Sequence, residues 1–332
     1  MHEYIGGEIM KFSRRTFLHL AAGAAALPAA SLSAKAQSYP TRPVHWIVNT
    51  TAGGSGDIIA RLIGQWLSER LSQPFIIDNR PGAGTNVATE TVLRAPADGY
   101  TLAIITKGNV TSSMLFENLT FNFIRDIEPV AGVSSGPLVM LVNPSVPAST
   151  VPEFITYAKS NPTAINMATV GTGSDPHLAG ELFKLMTGVN MTPVHYRGGA
   201  LAMTDLLAGR VQVFFSNLPV TDFIKTGKLR ALAVTTSVRS KIFPDTPAIA
   251  DFVPGYEANV WFGLGVRKNT PADITDKLNK EVNTALTDPR IKERLADLSG
   301  EPMPMTPAEF GKLIADETEK WAKVIRAAKI KP

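Results

Sequence analysis

The chain has 332 residues, a formal net charge of +4 and no cysteine. Hydrophobic residues make up 44% of it and charged residues 19%, which is typical of a folded globular protein and argues against a disordered chain. The length predicts two domains. The lack of cysteine excludes disulfides, Cys-ligated zinc, iron–sulfur clusters and thiol nucleophiles, and no basic block of the kind that binds nucleic acid is present.

The N-terminal segment has the features of an export signal. Arg14 and Arg15 are followed by a short stretch rich in alanine, and the small-x-small site Ala34-Lys35-Ala36 comes next. The paired arginines favour the twin-arginine export route. A membrane anchor is disfavoured because the apolar run is short and Pro28 interrupts it. We therefore predict a signal peptide over residues 1–36, cleaved after export to the periplasm.

Strand-like and helix-like segments alternate after this signal, which predicts an α/β fold with parallel sheets covered by helices on both faces. Strands are predicted at 44–48, 75–78, 100–106, 136–144, 164–169, 191–196, 211–217, 229–236 and 260–266. Helices are predicted from Ile58 onward, near 86–95, and at 151–160, 200–209, 271–287, 288–298 and 306–328, and a glycine loop followed by a helix is predicted over 170–187.

Two such α/β blocks with a helical C-terminus indicate two lobes. The long apolar strands at 136–144 and 260–266 are the candidates for the crossings between them. The first lobe is then predicted to contain residues 37–137 and 260–332, and the second lobe residues 138–259. A ligand is expected in the cleft, at the carboxyl ends of the strands.

Two glycine-rich loops, each between a strand and a helix, are candidate anion sites. The first covers 49–57 and the second begins at Thr169, with Asp175 predicted as helix N-cap and Pro176 as the first helical residue. Backbone N–H groups at a helix start attract anions without a charged side chain, and glycine lets a ligand approach the backbone closely. The alternative for each loop is an ordinary tight turn, but two matching loops favour a shared cleft.

Motifs for nucleotide binding and catalysis are missing. No GxxxxGK[ST] pattern is present, and Ser55 lies in GGSGD, which departs from the G-x-S-x-G nucleophile motif. No histidine has metal-ligand spacing, and His177 in the first turn of a helix is expected to shape its loop rather than act as a base. The sequence therefore predicts no catalytic residue, no metal and no cofactor.

Several longer stretches together carry a family resemblance. They are YPTRPVHWIV, AGGSGDIIARLI, DNRPGAGTNVATETV, APADGYTL, GTGSDPHLAGELFK, VHYRGGALAMTDLLAGRVQVFFSNLP, GKLRALAVTTSVRS and PGYEANVWFGL. With them the chain resembles, from about Tyr39 to Ile330, the periplasmic solute-binding proteins of tripartite tricarboxylate transporters, the Bordetella uptake gene (Bug) family.

This resemblance implies a two-lobed, type II-like Venus-flytrap fold that captures a small carboxylate in the periplasm and passes it to membrane permease subunits. It implies that backbone N–H groups, hydroxyls and bridging waters of both lobes hold the ligand, without an arginine clamp. Carried over by position, the ligand-binding residues are Thr51, Ala52, Gly53, Gly54, Ser55, Thr106, Lys107, Gly108, Thr169, Gly171, Thr172, Gly173, Asp175 and Ser216.

The chain departs from the family pattern in its first loop, where Asn49, Thr51 and Ala52 replace the usual prolines, and at three positions that change the charge of the site. Lys107 stands where the family often has Asn, and is predicted either to pair with a second carboxylate of the ligand or to be a solvated lysine at the rim. Ser216 stands where Asp is frequent, which lowers the preference for an amine-bearing ligand. Asp175 replaces a small hydroxyl residue, and a carboxylate facing the ligand would repel an anion.

Some alternatives stay open at this stage. Arg197 either reaches the cleft or forms a salt bridge elsewhere, and Trp261 and Phe262 either wall the cleft or belong to the core. A sensor that presents the ligand to a signalling partner shares all binding features with a transport protein. A periplasmic hydrolase using Ser55 or His177 is the remaining rival. We expect a monomer.

Overall fold

The computed structural model describes residues 39–331, so the predicted signal peptide lies outside the described residues. The chain from Pro40 onward forms one compact unit that contains two β-sheets. We call the parts built on these sheets the first and the second lobe. This two-lobed α/β architecture confirms the predicted fold class. None of the helices within 39–331 is long and apolar enough to cross a membrane.

The first lobe contains a six-stranded sheet with the order β11-β4-β10-β3-β1-β2. Strands β1, β2 and β3 pair in parallel, whereas β10 runs antiparallel to both β3 and β4. The bounds of the strands are β1 Val44–Val48, β2 Phe75–Asn79, β3 Thr101–Thr106, β4 Ile127–Gly136, β10 Val260–Arg267 and β11 Glu301–Pro302.

The second lobe contains a five-stranded sheet with the order β7-β6-β8-β5-β9. Strand β6 is parallel to β7 and β8, and β5 is antiparallel to β8 and β9. The bounds are β5 Val139–Val142, β6 Asn166–Thr169, β7 Thr192–His195, β8 Val213–Ser216 and β9 Arg230–Val234.

Eleven α-helices connect and cover these strands within the described residues. They are α1 Ser55–Leu71, α2 Asn86–Arg94, α3 Lys107–Leu115, α4 Phe123–Asp126, α5 Val151–Ser160, α6 Asp175–Thr187, α7 Gly199–Leu207, α8 Thr221–Lys225, α9 Ala272–Ala285, α10 Pro289–Asp297 and α11 Pro307–Ala327. The C-terminal helix α11 packs on α3 and β4 of the first lobe and on α6 of the second.

The sheets differ from the prediction because they are mixed rather than parallel. The chain leaves the first sheet after β4 and enters the second at β5, only two residues later. The predicted single strand at 136–144 is therefore wrong: Gly136 ends β4, and β5 covers Val139–Val142. Because a strand that crosses between lobes enters the next sheet from the opposite side, β5 and the returning β10 pair antiparallel with their neighbours.

Each lobe has its own apolar core. In the first lobe, Ile105 and Trp261 pack with Phe310 of α11, and the rings of Trp261 and Phe310 meet edge to face at 5.8 Å. In the second lobe, Leu141 and Phe214 belong to the core under the sheet. Burial of such side chains stabilises each lobe by about 1.5–3 kcal/mol per large residue.

Helix α11 begins with a reciprocal capping interaction. The Glu309 N–H donates to Thr306 Oγ1 at 3.2 Å, and the Thr306 N–H donates to Glu309 Oε2 at 2.8 Å. We expect Thr306→Ala to lower the free energy of unfolding by about 1 kcal/mol, because the cap satisfies an N–H that has no partner inside the helix. Urea denaturation checks this, with Thr204→Ala, an exposed threonine inside α7, as control. Equal midpoints for the two variants would contradict it.

Candidate ligand-binding site

A cavity with a volume of about 740 Å³ is lined by residues of both lobes. Its size is in the range of small-molecule binding sites. The first lobe contributes the loop after β1, the segment from Pro81 to Thr85, helix α3 and Phe262 of β10. The second lobe contributes the loop after β6, the segment from Arg197 to Gly199, Phe214 and the turn at Asn217 and Leu218.

The starts of four helices converge on this cavity. Within the part of the chain that the structure describes, no side chain caps the starts of α1, α6 and α7. The first N–H groups of a helix have no intrahelical acceptor, and together with the helix dipole they favour an anion. The residues of these helix starts that line the cavity are Ser55 and Gly56 of α1, Gly108 of α3, Asp175 and Pro176 of α6, and Gly198 and Gly199 at α7.

The loop between β1 and α1 is held by the buried carboxylate of Asp57. Asp57 Oδ2 accepts a hydrogen bond from the Gly53 N–H at 2.9 Å, and Oδ1 accepts one from Asn79 Nδ2 at 3.0 Å. Asn79 Nδ2 also donates to the Thr50 carbonyl. Burial raises the pKa of Asp57, but hydrogen bonds from Arg61, Gly53 and Asn79 outweigh it and lower the pKa below its ordinary value. The loop is therefore preorganised by a carboxylate that does not line the cavity.

The loop between β6 and α6 is shaped by glycine and by a histidine. Gly171 and Gly173 have φ angles of +111° and +75°, which L-residues with side chains rarely adopt. Ser174 Oγ donates to the Gly171 carbonyl at 2.7 Å, and the Gly173 N–H donates to His177 Nδ1 at 3.1 Å. His177 thus positions the loop, as the sequence predicted, and its Nδ1 is an acceptor.

The cavity wall combines one free cation with a large apolar surface. Arg197 lines the cavity, is exposed, and has no hydrogen bond or ion pair with any of the residues 39–331. Sequence reasoning left its direction open. Of the aromatic pair, Phe262 lines the cavity while Trp261 is in the core. The apolar lining residues are Pro81, Leu115, Phe116, Val170, Pro176, Phe214, Leu218 and Phe262.

One hydrogen bond joins the lobes inside the cavity. Asn217 Nδ2, after β8, donates to Ser55 Oγ, the first residue of α1, at 3.1 Å. Both residues line the cavity. The contact brings the turn after β8 of the second lobe against the first residue of α1 of the first lobe. Asn217 was not among the predicted site residues, because a turn after a strand carries no sequence signal for such a contact.

The predicted site residues divide into two groups. Those that line the cavity are Thr51, Gly54, Ser55, Thr106, Gly108, Gly171, Thr172, Gly173 and Asp175. Those outside its lining are Ala52, Gly53, Lys107, Thr169 and Ser216. Thr169 Oγ1 is 2.6 Å from His195 Nδ1, and Ser216 Oγ accepts a hydrogen bond from the Leu218 N–H, so both lie behind the wall.

Two sequence interpretations need correction. Lys107 is not a solvated residue at the rim, because its side chain is completely buried and its ammonium lies 3.0 Å from Asp175 Oδ1. Asp175 is not the N-cap of α6, because Ser174 holds that position and Asp175 is the first helical residue. The side chain of Asp175 is close to Lys107 instead of capping its own helix.

A second groove, of about 690 Å³, lies elsewhere on the first lobe. Its charged side chains already have partners: Arg94 pairs with Glu90, Arg125 with Asp126, and Lys268 with Glu128. Arg267 donates to the Ala95 carbonyl at 2.6 Å. The groove therefore lacks the free donors that the cavity between the lobes offers. Across residues 39–331, no group of three or more histidine or acidic side chains is arranged to hold a metal ion.

Comparison with known proteins agrees with this geometry. Residues 59–330 match the family model described as the tripartite tricarboxylate transporter family receptor. The chain belongs to this family. Its members are periplasmic solute-binding proteins, which agrees with the fold and the cavity described above.

Relatives and solved structures cover nearly the same region. Protein BugT of Bordetella pertussis is 35% identical over 302 residues, which cover 89% of this chain and 93% of BugT. The structure of Rpa4515 from R. palustris with adipate is 37% identical, with a TM-score of 0.83, and covers 89% of this chain and 99% of that one. MatC from Rhodopseudomonas palustris with bound malate is 29% identical, with a TM-score of 0.79, and the match covers 86% of this chain and 100% of MatC.

Proposed function

We propose that this periplasmic solute-binding protein captures a small carboxylate between its lobes and delivers it to the permease subunits of a tripartite transporter. The observation that carries this proposal is the convergence of four helix starts on one cavity, three of them without a side-chain cap from the described residues. The cavity is also lined by Arg197, which has no hydrogen bond or ion pair within residues 39–331. A carboxylate accepts hydrogen bonds from such N–H groups, and Arg197 offers a charge-assisted contact.

The apolar part of the cavity wall limits which carboxylates fit. Leu115, Phe116 and Phe214 line the same cavity as the donors, so a carboxylate with an aliphatic body fits better than a compact polyanion. The adipate bound to a structure 37% identical to this chain supports the same class. Adipate is therefore the first ligand to test, and malate the second.

The lobes and the export route belong to this proposal. The proposed division assigns residues 37–137 and 260–332 to the first lobe and residues 138–259 to the second; the strands of each sheet support it over residues 39–331. Residues 1–36 act as a twin-arginine signal that directs the protein to the periplasm. Closure of the lobes around the ligand is a hinge motion of the two crossing segments.

Binding without turnover is the further part of the proposal. The hydroxyl of Ser55 contacts Asn217, and Nδ1 of His177 is occupied by the Gly173 N–H. A serine nucleophile needs a base within hydrogen-bond reach, and neither residue supports such a pair. A ligand whose mass changes on incubation with the protein would contradict this part of the proposal.

Titration calorimetry with adipate and malate on the exported protein tests the proposal. We expect one ligand per chain, and a rise of the unfolding temperature that grows with ligand concentration, because the ligand binds only the folded form. No heat and no thermal shift with either acid, or with other small carboxylates, would overturn it.

Arg197→Gln is expected to weaken adipate binding by about tenfold, which corresponds to about 1.4 kcal/mol. The loss is moderate because Arg197 is exposed and its contact with a carboxylate is screened by solvent. Calorimetry measures the change. Arg210→Gln is the control, since Arg210 is also exposed but pairs with Asp205 outside the cavity. Equal affinities of the two variants would show that Arg197 is not a ligand contact.

A further inference from the structure

The most unusual charged group of the described chain is the buried ammonium of Lys107. Lys107 is the first residue of α3, directly after β3, and 1% of its side chain is exposed. Its Nζ donates to the Asn259 carbonyl at 2.6 Å, and it lies 4.4 Å from the centre of the Trp321 ring. Burial of a charge is costly unless an opposite charge compensates it, so the neighbouring carboxylates decide what this lysine does.

The nearest opposite charge belongs to the cavity wall. Asp175 Oδ1 lies 3.0 Å from Lys107 Nζ, so the two groups form an ion pair. Oδ1 accepts no hydrogen bond of suitable geometry from the described residues. Asp175 lines the cavity with 18% of its side chain exposed. It is the one carboxylate among the described residues that line the cavity. Without compensation it would repel an anionic ligand.

We propose that Lys107 determines the sign of the charge that the cavity accepts, because it neutralises Asp175 from behind the wall. This inference rests on the proposed function. With the pair intact, the wall presents no net negative charge, and Arg197 and the helix starts dominate the potential. Without Lys107, the carboxylate of Asp175 faces the ligand space and favours a ligand with an ammonium group.

The pair joins the two lobes. Lys107 follows a strand of the first sheet, and Asp175 follows the loop after β6 of the second. The two side chains therefore meet only where the lobes meet. The charge of Asp175 is therefore compensated by a residue of the opposite lobe, across the ligand cavity's boundary.

Other charges near Lys107 do not replace it. Glu317 Oε2 lies 3.9 Å from Lys107 Nζ, and Glu317 Oε1 lies 3.9 Å from Lys320 Nζ. Burial and the charge of Lys107 lower the pKa of Lys320, while Glu317 and Glu257 oppose this shift. No described contact joins Lys320 to Asp175. Removal of Lys107 therefore leaves Asp175 without a cation within ion-pair distance.

Three six-carbon acids that differ only at one end test this inference. Adipate carries a second carboxylate, hexanoate a methyl group and 6-aminohexanoate an ammonium group. We expect the wild-type protein to bind adipate or hexanoate more tightly than 6-aminohexanoate. In Lys107→Met, adipate affinity should fall at least tenfold, and the ratio of adipate to 6-aminohexanoate affinity should fall by more than that. The double variant Lys107→Met/Asp175→Asn should recover adipate affinity to within about threefold.

The recovery separates charge compensation from a structural role, because a protein damaged by loss of Lys107 would not be rescued by a second change. Lys312→Met, an exposed lysine of α11, is the control and should change no affinity. An adipate to 6-aminohexanoate ratio unchanged in Lys107→Met would overturn the inference. If Lys107→Met does not fold, the Asp175→Asn variant alone tests the inference. A shift of its binding preference from adipate toward 6-aminohexanoate would overturn the inference. A wild-type protein that binds none of the three acids would overturn the proposed function as well.

Discussion

Replacing Glu317 by alanine is expected to lower the free energy of unfolding by about 3–5 kcal/mol. Glu317 Oε2 accepts hydrogen bonds from Trp261 Nε1 at 3.0 Å and from Trp321 Nε1 at 2.9 Å. It also lies 3.9 Å from the buried ammonium of Lys107. Alanine leaves two indole N–H groups without an acceptor and a buried cation with one counter-charge fewer, and both changes are costly.

Urea denaturation of the wild-type protein and of Glu317→Ala measures this loss of unfolding free energy. Glu319→Ala is a matched control, because Glu319 lies on the same helix, is 73% exposed and pairs only with Lys323 among the described contacts. We expect it to leave the urea midpoint unchanged. If Glu317→Ala shifted the midpoint no further than Glu319→Ala, the carboxylate would not be the central acceptor that its contacts indicate. Near-ultraviolet circular dichroism reports the tryptophan environment in the same samples.

Acidification should destabilise the protein between about pH 6.5 and pH 4 through His177. Burial, and then the charges of His195 and Lys184, lower the pKa of His177 from 6.5 to about 4. The folded state therefore prefers the neutral ring. The neutral His177 ring contributes fully to the free energy of unfolding above pH 6.5. This contribution, about 3 kcal/mol in total, is lost as the pH falls toward 4. The ring of His195 is 5.1 Å away, and Glu181 Oε1 is 3.8 Å from Nε2.

Unfolding free energies measured across this pH range, for the wild type and for His177→Gln, test the prediction. Glutamine keeps an oxygen that can accept the Gly173 N–H but does not titrate, so the acid-induced loss should be smaller in the variant. Nuclear magnetic resonance of the ring C–H groups should show one histidine titrating near pH 4. Parallel pH curves for the two proteins would contradict the assignment.

Ligand affinity should weaken over the same pH range, since a protonated Nδ1 of His177 no longer accepts the Gly173 N–H.

Much of the fold is readable from local sequence. VHWIV predicted β1 at its observed bounds, and the strands around 75–78 and 260–266 were correct to within one residue. These strands are buried runs bounded by turn residues, so their pattern suffices. Strand β4 was missed, because IEPVAGVSSG contains proline, glycine and serine and has no clear alternation. It is a strand because β10 pairs with its entire length, and that partner lies far away in sequence.

The candidate site was predictable to a smaller extent. The two glycine loops carry a local signal, and nine of the fourteen predicted residues line the cavity. The helix start at Gly199 was not expected to join them, because two successive glycines resemble an ordinary turn. The orientation of the Lys107 side chain could not be predicted from the sequence. Its partner Asp175 is 68 positions away in the printed sequence and belongs to the other lobe.

The position of β10 has a consequence for how the chain assembles. This strand lies in the middle of the six-stranded sheet, between β4 and β3, although it follows the whole second lobe in the chain. Strands β3 and β4 have no direct pairing with each other. Until residue 260 and those after it are available, the first sheet is divided into two unjoined parts. The second sheet needs no strand beyond β9, so it is topologically complete earlier. Any truncation before β10 therefore leaves one finished lobe attached to the fragments of another.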